Sequence, residues 1–238
     1  MKWFQPIKDC LIFLNNPKRE IREPLVENPL LYIHTLFIGV FLINILGMSI
    51  ISKIIDFDAL DSGFDDLQNK FGIWMMAVLA IIVAPTLEEL IFRYPLKHKL
   101  FLTMLLTFID MFIIYGVLQW LGFYKLSIIA PFSLAIFSLI LLAQSENLQI
   151  EWDATVDRLY PMLFLLVATI FAFVHMFNYA AGSFPWYVTP LLVFPQFVIG
   201  LVLGFVRLRI GLWGSIYMHA LNNSIPMLAL ILYGNQLG

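Results

Sequence analysis

The stretch WMMAVLAIIVAPTLEELIF, residues 74 to 92, is followed directly by Arg93. It has the length and apolar character of a membrane-spanning helix, yet it carries two adjacent carboxylates, Glu88 and Glu89. A charged side chain near the centre of a bilayer costs about 2.5–3.5 kcal/mol on insertion scales. Two such side chains together therefore predict a polar cavity within a bundle of membrane helices.

The composition of the whole chain agrees with a membrane protein. Of its 238 residues, 61% are hydrophobic and 13% are charged, whereas a soluble domain has about 25% charged residues. The net charge of −2 gives no indication of a nucleic-acid partner. Because Cys10 is the only cysteine, an intrachain disulfide and a CxxC metal site are excluded. We expect an all-α, polytopic transmembrane helical bundle with no sizeable soluble domain.

Seven segments are apolar over a length that approaches the 20 or so residues needed to span a bilayer. The predicted spans are Leu31–Ile55, Phe71–Phe92, Leu100–Leu121, Leu126–Ala143, Leu159–Phe177, Val188–Val206 and Leu212–Tyr233. The polar segment 145–157 breaks the apolar run between the fourth and fifth spans. Residues 29–238 are therefore predicted to form one transmembrane domain.

The N-terminal segment, residues 1–28, is too polar and too acidic for a cleavable signal peptide. Apolar residues at near-helical spacing, among them Trp3, Phe4 and Leu11, predict a short helix that lies on the membrane surface. Lysine and arginine in the loops set the orientation of a membrane protein. With the N-terminus inside, eleven of them lie on the inner side and three on the outer, so we predict a cytoplasmic N-terminus.

The first polar cluster is Glu88-Glu89-Leu-Ile-Phe-Arg93. Glu89 and Arg93 have the i, i+4 spacing and order that favour a helical ion pair, whereas Glu88 projects about 100° away from Glu89. A carboxylate that is left free in an apolar cavity can act as a general base. Pro85 just upstream predicts a kink or a helix start. The alternative is an ion-pair network at a helix end with a structural role only.

Two further clusters lie in later spans. His175 lies late in the fifth span, and Asn178 follows it at helical spacing; His219 and Asn223 share one face of the seventh span, whereas Asn222 points elsewhere. Each has a structural alternative, because a membrane histidine can bond a backbone carbonyl and polar side chains hold membrane helices together.

Together the clusters predict a hydrolase site. Glu88 would take a proton from water, His175 would orient that water, and His219 with Asn223 would donate hydrogen bonds to the oxyanion. No serine or cysteine has a convincing nucleophile setting, so water is the expected nucleophile, without a cofactor. Zinc stays an alternative, since Glu and two His form a known ligand set, although the chain lacks His-Glu-x-x-His.

Three motifs resemble, in the same order, those of the CAAX protease and bacteriocin-processing (CPBP/Abi) family: Glu88-Glu89-x-x-x-Arg93, Phe171-x-x-x-His175 and His219-x-x-x-Asn223. The resemblance covers a motif core from about residue 71 to 230. It implies a glutamate-dependent intramembrane endopeptidase of a bacterial inner membrane, acting on a hydrophobic or lipidated peptide or protein among membrane lipids. Eukaryotic members cleave the last three residues from prenylated CAAX proteins. The implied roles are catalysis for Glu88, His175, His219 and Asn223, and support for Glu89 and Arg93.

The chain departs from the family pattern in two places. Tyr94-Pro95 follows the motif arginine where many relatives have glycine, and residues 100–143 are expected to be an inserted hairpin of two spans. The predicted spans also place Glu88 near an inner end and His175 near an outer end. The two residues meet only if the Glu88 helix continues through about Lys99 or if the fifth span begins late.

Other functions stay open at this point. A non-catalytic membrane protein that confers bacteriocin immunity by binding a partner would need no Glu88 chemistry. A proton-coupled transporter would also use intramembrane Glu and His, but the sequence contains no visible inverted repeat.

Overall fold

A computed structural model describes residues 3–21, 26–55, 70–179 and 184–233. Within these ranges the chain is helical and forms no β-strand, so the predicted all-α class is confirmed. Parts of the predicted segments 1–28 and 29–238, including the loop 56–69, lie outside the described residues.

The helices that the structure describes are α1 Gln5–Asn15, α2 Pro29–Ile51, α3 Ile73–Val78, α4 Ala84–Phe92, α5 Lys99–Trp120, α6 Tyr124–Gln144, α7 Glu146–Val174, α8 Thr189–Leu192, α9 Phe194–Arg209 and α10 Leu212–Tyr233. A π-helical turn, Leu79–Val83, joins α3 to α4 without a break. Short 3₁₀ turns occur at Pro95–Lys97, His175–Asn178 and Trp186–Val188.

Three helical stretches have the length and hydropathy of membrane spans: Pro29–Ile51, Ile73–Lys97 and Glu146–Asn178. A fourth is added if Trp186–Leu192 and Phe194–Arg209, which are bent by 48° from each other, are one broken span. These helices and the composition identify an integral membrane protein. The hairpin helices α5 and α6 and the last helix α10 lie where spans were predicted, but the count of seven spans stays a prediction.

Helix α7 begins earlier than the predicted fifth span. Its N-cap is Ser145, whose side-chain oxygen accepts a hydrogen bond from the backbone N–H of Leu148 at 3.3 Å. The polar segment 145–157 therefore interrupts the apolar run but not the helix, since a cap residue and good helix formers allow a helix to continue through polar sequence. Leu159 lies well inside α7 rather than at its start.

Helix α1 is present where the N-terminal sequence predicted one. It buries Cys10 and Phe13 against the bundle and leaves apolar side chains exposed on the opposite side. The exposed apolar residues of α1 are Leu11 and Ile12, and Trp3 and Phe4 just before it are exposed as well. Such an apolar face suits the lipid boundary, and the interfacial position of α1 stays a prediction.

The core of the bundle surrounds α9, which packs against α2, α7 and α10. Two glycines allow α9 to approach α7 closely. A Cβ atom at Gly204 would lie 2.6 Å from the Phe164 ring, and one at Gly200 would lie 3.1 Å from the Phe171 ring. This close approach brings the backbone of α9 next to the polar residues of α4.

Candidate active site

Pro85 determines the local structure just before the two glutamates. In the π-helical turn the N–H of Ala84 donates to the carbonyl of Leu79, five residues back. In the same register the carbonyl of Ala80 would meet Pro85, which has no N–H. That carbonyl instead accepts a hydrogen bond from Nδ2 of Asn223 at 3.0 Å. A π-turn of this kind is frequent at functional sites, and here it attaches α10 to the site helix.

Glu89 is completely buried and is held by two partners. Its Oε1 lies 3.5 Å from Nη1 of Arg93 and 3.0 Å from Nδ1 of His219. A carboxylate can only accept in this contact, so Nδ1 of His219 carries the hydrogen. The ion pair predicted from the i, i+4 spacing is present, and it also orients the imidazole of the third motif.

Arg93 is 1% exposed and is surrounded by groups that suit a guanidinium. Its Nη2 donates to the carbonyl of Gly200 at 3.3 Å, and its Cζ lies 3.7 Å from the centre of the Phe171 ring. A cation over the face of a buried aromatic ring is attracted by the ring quadrupole. Arg93 therefore joins α4 to α7 and to α9 at one point.

The end of the site helix is fixed by two residues to which the sequence gave no role. Nε of Arg207 in α9 donates to the carbonyl of Arg93 at 3.2 Å, and the hydroxyl of Tyr160 in α7 donates to the carbonyl of Leu96 at 3.1 Å. Both carbonyls lie at the C-terminal end of this helical stretch, where the i+4 donors of a continuing helix are missing; that of Arg93 also accepts from the backbone N–H of Leu96 at 3.2 Å. A basic residue in the last turn of α9 was visible in the sequence, but its partner was not.

Glu88 does not bond Arg93 and instead faces the Nε2 atoms of two histidines. Its Oε2 lies 3.8 Å from Nε2 of His175 and 3.8 Å from Nε2 of His219. Both distances exceed a hydrogen bond, and Oε2 of Glu88, like Oε2 of Glu89, is buried with no hydrogen-bond partner among the described residues. The Glu88 side chain is 28% exposed, whereas that of Glu89 is 0% exposed. The two neighbouring carboxylates thus have different surroundings.

His175 lies directly after the last residue of α7. Its Nδ1 is 2.8 Å from the carbonyl of Phe171, and because a carbonyl accepts, the hydrogen is on Nδ1. In the neutral ring, Nε2 then carries a lone pair on the side of Glu88. The Phe171 ring contacts both imidazoles, with centroid distances of 4.7 Å to His175 and 5.6 Å to His219. Phe171 is the packing centre of the site.

The difference in depth predicted between Glu88 and His175 is not found. The rings of Phe92 and Phe171 are 5.5 Å apart, and α4 and α7 pass each other in opposite directions at this contact. One turn before Phe92 is Glu88, and one turn after Phe171 is His175. Of the two stated conditions, the structure meets the first, because the spanning stretch of Glu88 continues to Lys97. The fifth span does not begin late.

The structure therefore brings Glu88, His175 and His219 together, with Glu89 and Arg93 behind them and Asn223 one turn from His219 on α10. Nδ2 of Asn222 donates to Oδ1 of Asn223 at 3.4 Å. Among the described residues, no group of three or more His, Cys, Asp or Glu side chains is arranged to hold a metal ion.

A family model described as Type II CAAX prenyl endopeptidase Rce1-like matches residues 70–225 of the chain. No curated protein and no solved structure matches the chain. The family match covers more than half of the sequence and includes all three polar motifs, so the chain belongs to the Rce1-like family. It is an integral membrane protein of an endopeptidase family.

Proposed function

We propose that this member of the Rce1-like family hydrolyses a peptide bond within the membrane with a water molecule that Glu88 activates. The observation that carries the proposal is the buried, unpartnered Oε2 of Glu88, which faces the Nε2 atoms of His175 and His219 at 3.8 Å. A carboxylate of this kind in an apolar bundle is costly unless it has a use. Proton abstraction from water is such a use.

His175 supports this reaction as the second acceptor for the water. Its Nδ1–H is bound to the carbonyl of Phe171, so the Nε2 lone pair and the Glu88 carboxylate can each accept one hydrogen of the same water. The oxygen lone pair of that water then points at the substrate carbonyl. Glu88 takes one proton as the C–O bond forms and transfers it to the leaving amine as the C–N bond breaks.

His219 and Asn223 are proposed to stabilise the oxyanion. His219 would donate from Nε2 in its doubly protonated form, with its Nδ1–H held by the buried carboxylate of Glu89 at 3.0 Å. One N–H of the Asn223 amide is used by the carbonyl of Ala80. Its second N–H is the proposed oxyanion donor, so the bond to Ala80 fixes the direction of that donor.

The proposed substrate is a hydrophobic or lipidated peptide that reaches the site from the surrounding lipid, and the family description favours a prenylated CAAX sequence. We also propose a bacterial inner membrane with a cytoplasmic N-terminus, from the excess of lysine and arginine on the N-terminal side. Purified protein in detergent, incubated with a farnesylated CAAX peptide and with the same peptide lacking the farnesyl group, tests the substrate class. Reporters fused to each terminus test the orientation.

The decisive experiment for the mechanism compares Glu88→Gln with Glu146→Gln. Glu146 is an exposed glutamate in the first turn of α7, so its variant controls for the loss of a carboxylate elsewhere. We expect Glu88→Gln to lower kcat by at least about 100-fold, because general-base catalysis contributes about 10²–10⁴-fold. The control should cleave normally, and both variants should keep the wild-type melting temperature. Normal cleavage by Glu88→Gln would end the proposal.

Two alternatives make different predictions in the same assay. A zinc-dependent protease, which uses the same Glu and His residues, loses activity with a chelator and regains it with Zn²⁺, whereas direct activation by Glu88 is insensitive to both. A non-catalytic partner-binding protein, such as one that confers bacteriocin immunity, shows no cleavage, and its cellular phenotype survives Glu88→Gln.

A further inference from the structure

Gln196, in the first turn of α9, carries a buried amide oxygen that the site described so far does not use. Its Oε1 is buried and has no hydrogen-bond partner among the described residues. A buried acceptor without a donor is destabilising. Gln196 belongs to none of the three polar motifs, so its position relative to them decides what it can do.

The packing of α9 against α7 places Gln196 at the level of His175. The two helices run in opposite directions, because Gly204 contacts Phe164 whereas Gly200 contacts Ala168 and Phe171. One turn beyond Gly200 along α9 is Gln196, on the same face of the helix. The corresponding position one turn beyond Phe171 on α7 is His175.

The packing of α9 against α10 gives the same level independently. These helices are joined by the turn at Gly211 and are antiparallel, with Gly214 in contact with Val206. Counting ten residues along each helix from that contact brings Gln196 level with Ser224, the neighbour of Asn223. The face of α9 that contains Gln196 also contains Gly200, whose carbonyl accepts from Arg93. Gln196 is therefore placed at the height of His175 and Asn223. It lies on the face of α9 that Arg93 contacts at Gly200.

We propose that Gln196 binds the backbone of the substrate, with its Oε1 accepting a hydrogen bond from a peptide N–H next to the scissile bond. The inference rests on the proposed function, because it needs a peptide in the site. Neither His175 nor Asn223 supplies such an acceptor on this side, since the carbonyl-bound ring of His175 is directed at the water and Oδ1 of Asn223 accepts from Asn222. An extended peptide needs an acceptor as well as an oxyanion site to be held in register.

The experiment combines Gln196→Leu with peptides in which one backbone N–H at a time is replaced by an ester oxygen. For the wild-type protein we expect about a tenfold loss of kcat/KM with the ester at one position flanking the scissile bond, as for one hydrogen bond. Gln196→Leu should show about the same loss with the all-amide peptide and no further loss with that ester. Gln119→Leu is the control, because this glutamine bonds Ser127 in the hairpin, and it should behave as wild type.

The outcomes separate the two proposals. Suppose that wild-type protein cleaves the peptide and Glu88→Gln does not. If each ester then lowers kcat/KM of Gln196→Leu by the same factor as that of the wild type, the role of Gln196 is wrong and the proposed function stands. If wild-type protein cleaves no peptide, the proposed function itself fails. If Gln196→Leu misfolds, as judged by its melting temperature, Gln196→Met provides the test. Its side chain is unbranched and has no amide acceptor, so it should show no further loss with that ester.

Discussion

The site region, formed by α4, α7, α9 and α10, and the hairpin of α5 and α6 differ in how their polar side chains are bonded. In the site region, hydrogen bonds join residues more than 100 positions apart, as in Arg93 with Gly200 and Asn223 with Ala80. In the hairpin, the described bonds are mostly local, as in Thr107 with the carbonyl of Thr103 four residues back. Bonds between distant segments set the relative positions of helices, whereas local bonds only satisfy single groups. The relative positions of the helices are therefore fixed in the region where the proposed reaction takes place.

Among the substitutions considered, Arg93→Ala is expected to lower the free energy of unfolding most. It leaves the buried Glu89 carboxylate without its ion-pair partner, and breaking a buried pair in this way costs about 3–5 kcal/mol of unfolding free energy. Thermal or denaturant unfolding in detergent measures the loss, with the exposed Arg158→Ala as control. Equal stability of the two variants would contradict the importance given to the long-range bonds. The double variant Glu89→Gln/Arg93→Met should recover part of the stability, because no charge stays buried alone.

Pro85→Ala is expected to reduce activity without a large change in stability. Alanine supplies the backbone N–H that Pro85 lacks. This N–H would compete with Nδ2 of Asn223 for the carbonyl of Ala80. We expect kcat to fall about tenfold while the melting temperature is kept or raised. Asn223→Ala should give at least the same loss of kcat, and adding Pro85→Ala to it should change little. Full additivity of the two losses would show that they act independently.

A substitution in the contact between the hairpin and α7 tests whether the hairpin affects stability without affecting cleavage. Nε1 of Trp152 in α7 donates to Oγ1 of Thr103 in α5 at 2.9 Å. Trp152→Phe removes this bond and keeps an aromatic ring, so we expect a loss of about 1 kcal/mol of unfolding free energy and cleavage within about twofold of wild type. A tenfold loss of kcat would show that the hairpin takes part in positioning the site.

The smallest effect is expected at Cys10 in α1. Burial, with a further contribution from the charge of Asp9, raises the pKa of the Cys10 thiol to about 12. The thiol stays neutral in the folded protein, so alkylation at pH 8 should be at least about 100-fold slower than in denatured protein. Because the unfolded thiol ionises above pH ~8.5, its contribution to stability is complete below that pH and is lost as the pH rises toward 12. Cys10→Ser should remove this part of the pH dependence.

What the sequence could predict of the candidate site lies in two helical spacings. Glu89 with Arg93 and His219 with Asn223 each share a helix face, and the structure has the first pair bonded as expected. The sequence also assigned different surroundings to Glu88 and Glu89 from the 100° between them, which the two exposures reproduce. The catalytic roles of these residues stay predictions.

Other features could not be predicted because their partners are distant in sequence. Arg207 was visible only as a basic residue in a loop, whereas its bond to the carbonyl of Arg93 depends on how closely α9 approaches α4. The start of α7 was placed too late because apolarity was used to mark the helix, while Ser145 caps a polar helical turn. The count of seven spans stays a prediction, since three of the described stretches, or four with the bent pair, have the length and hydropathy to cross a membrane.

By itself, the sequence determined that the protein is a helical membrane protein and which polar residues have no place in lipid, because burial of charge in a bilayer is costly wherever it occurs. The tertiary structure decided which of those residues meet. Antiparallel packing of α4 and α7 brings Glu88 to His175, and the carbonyl left free by Pro85 attaches Asn223. The spacing of residues in the sequence determines which side chains share one face of a helix. Only the packing of two helices determines which residues of the two faces come into contact.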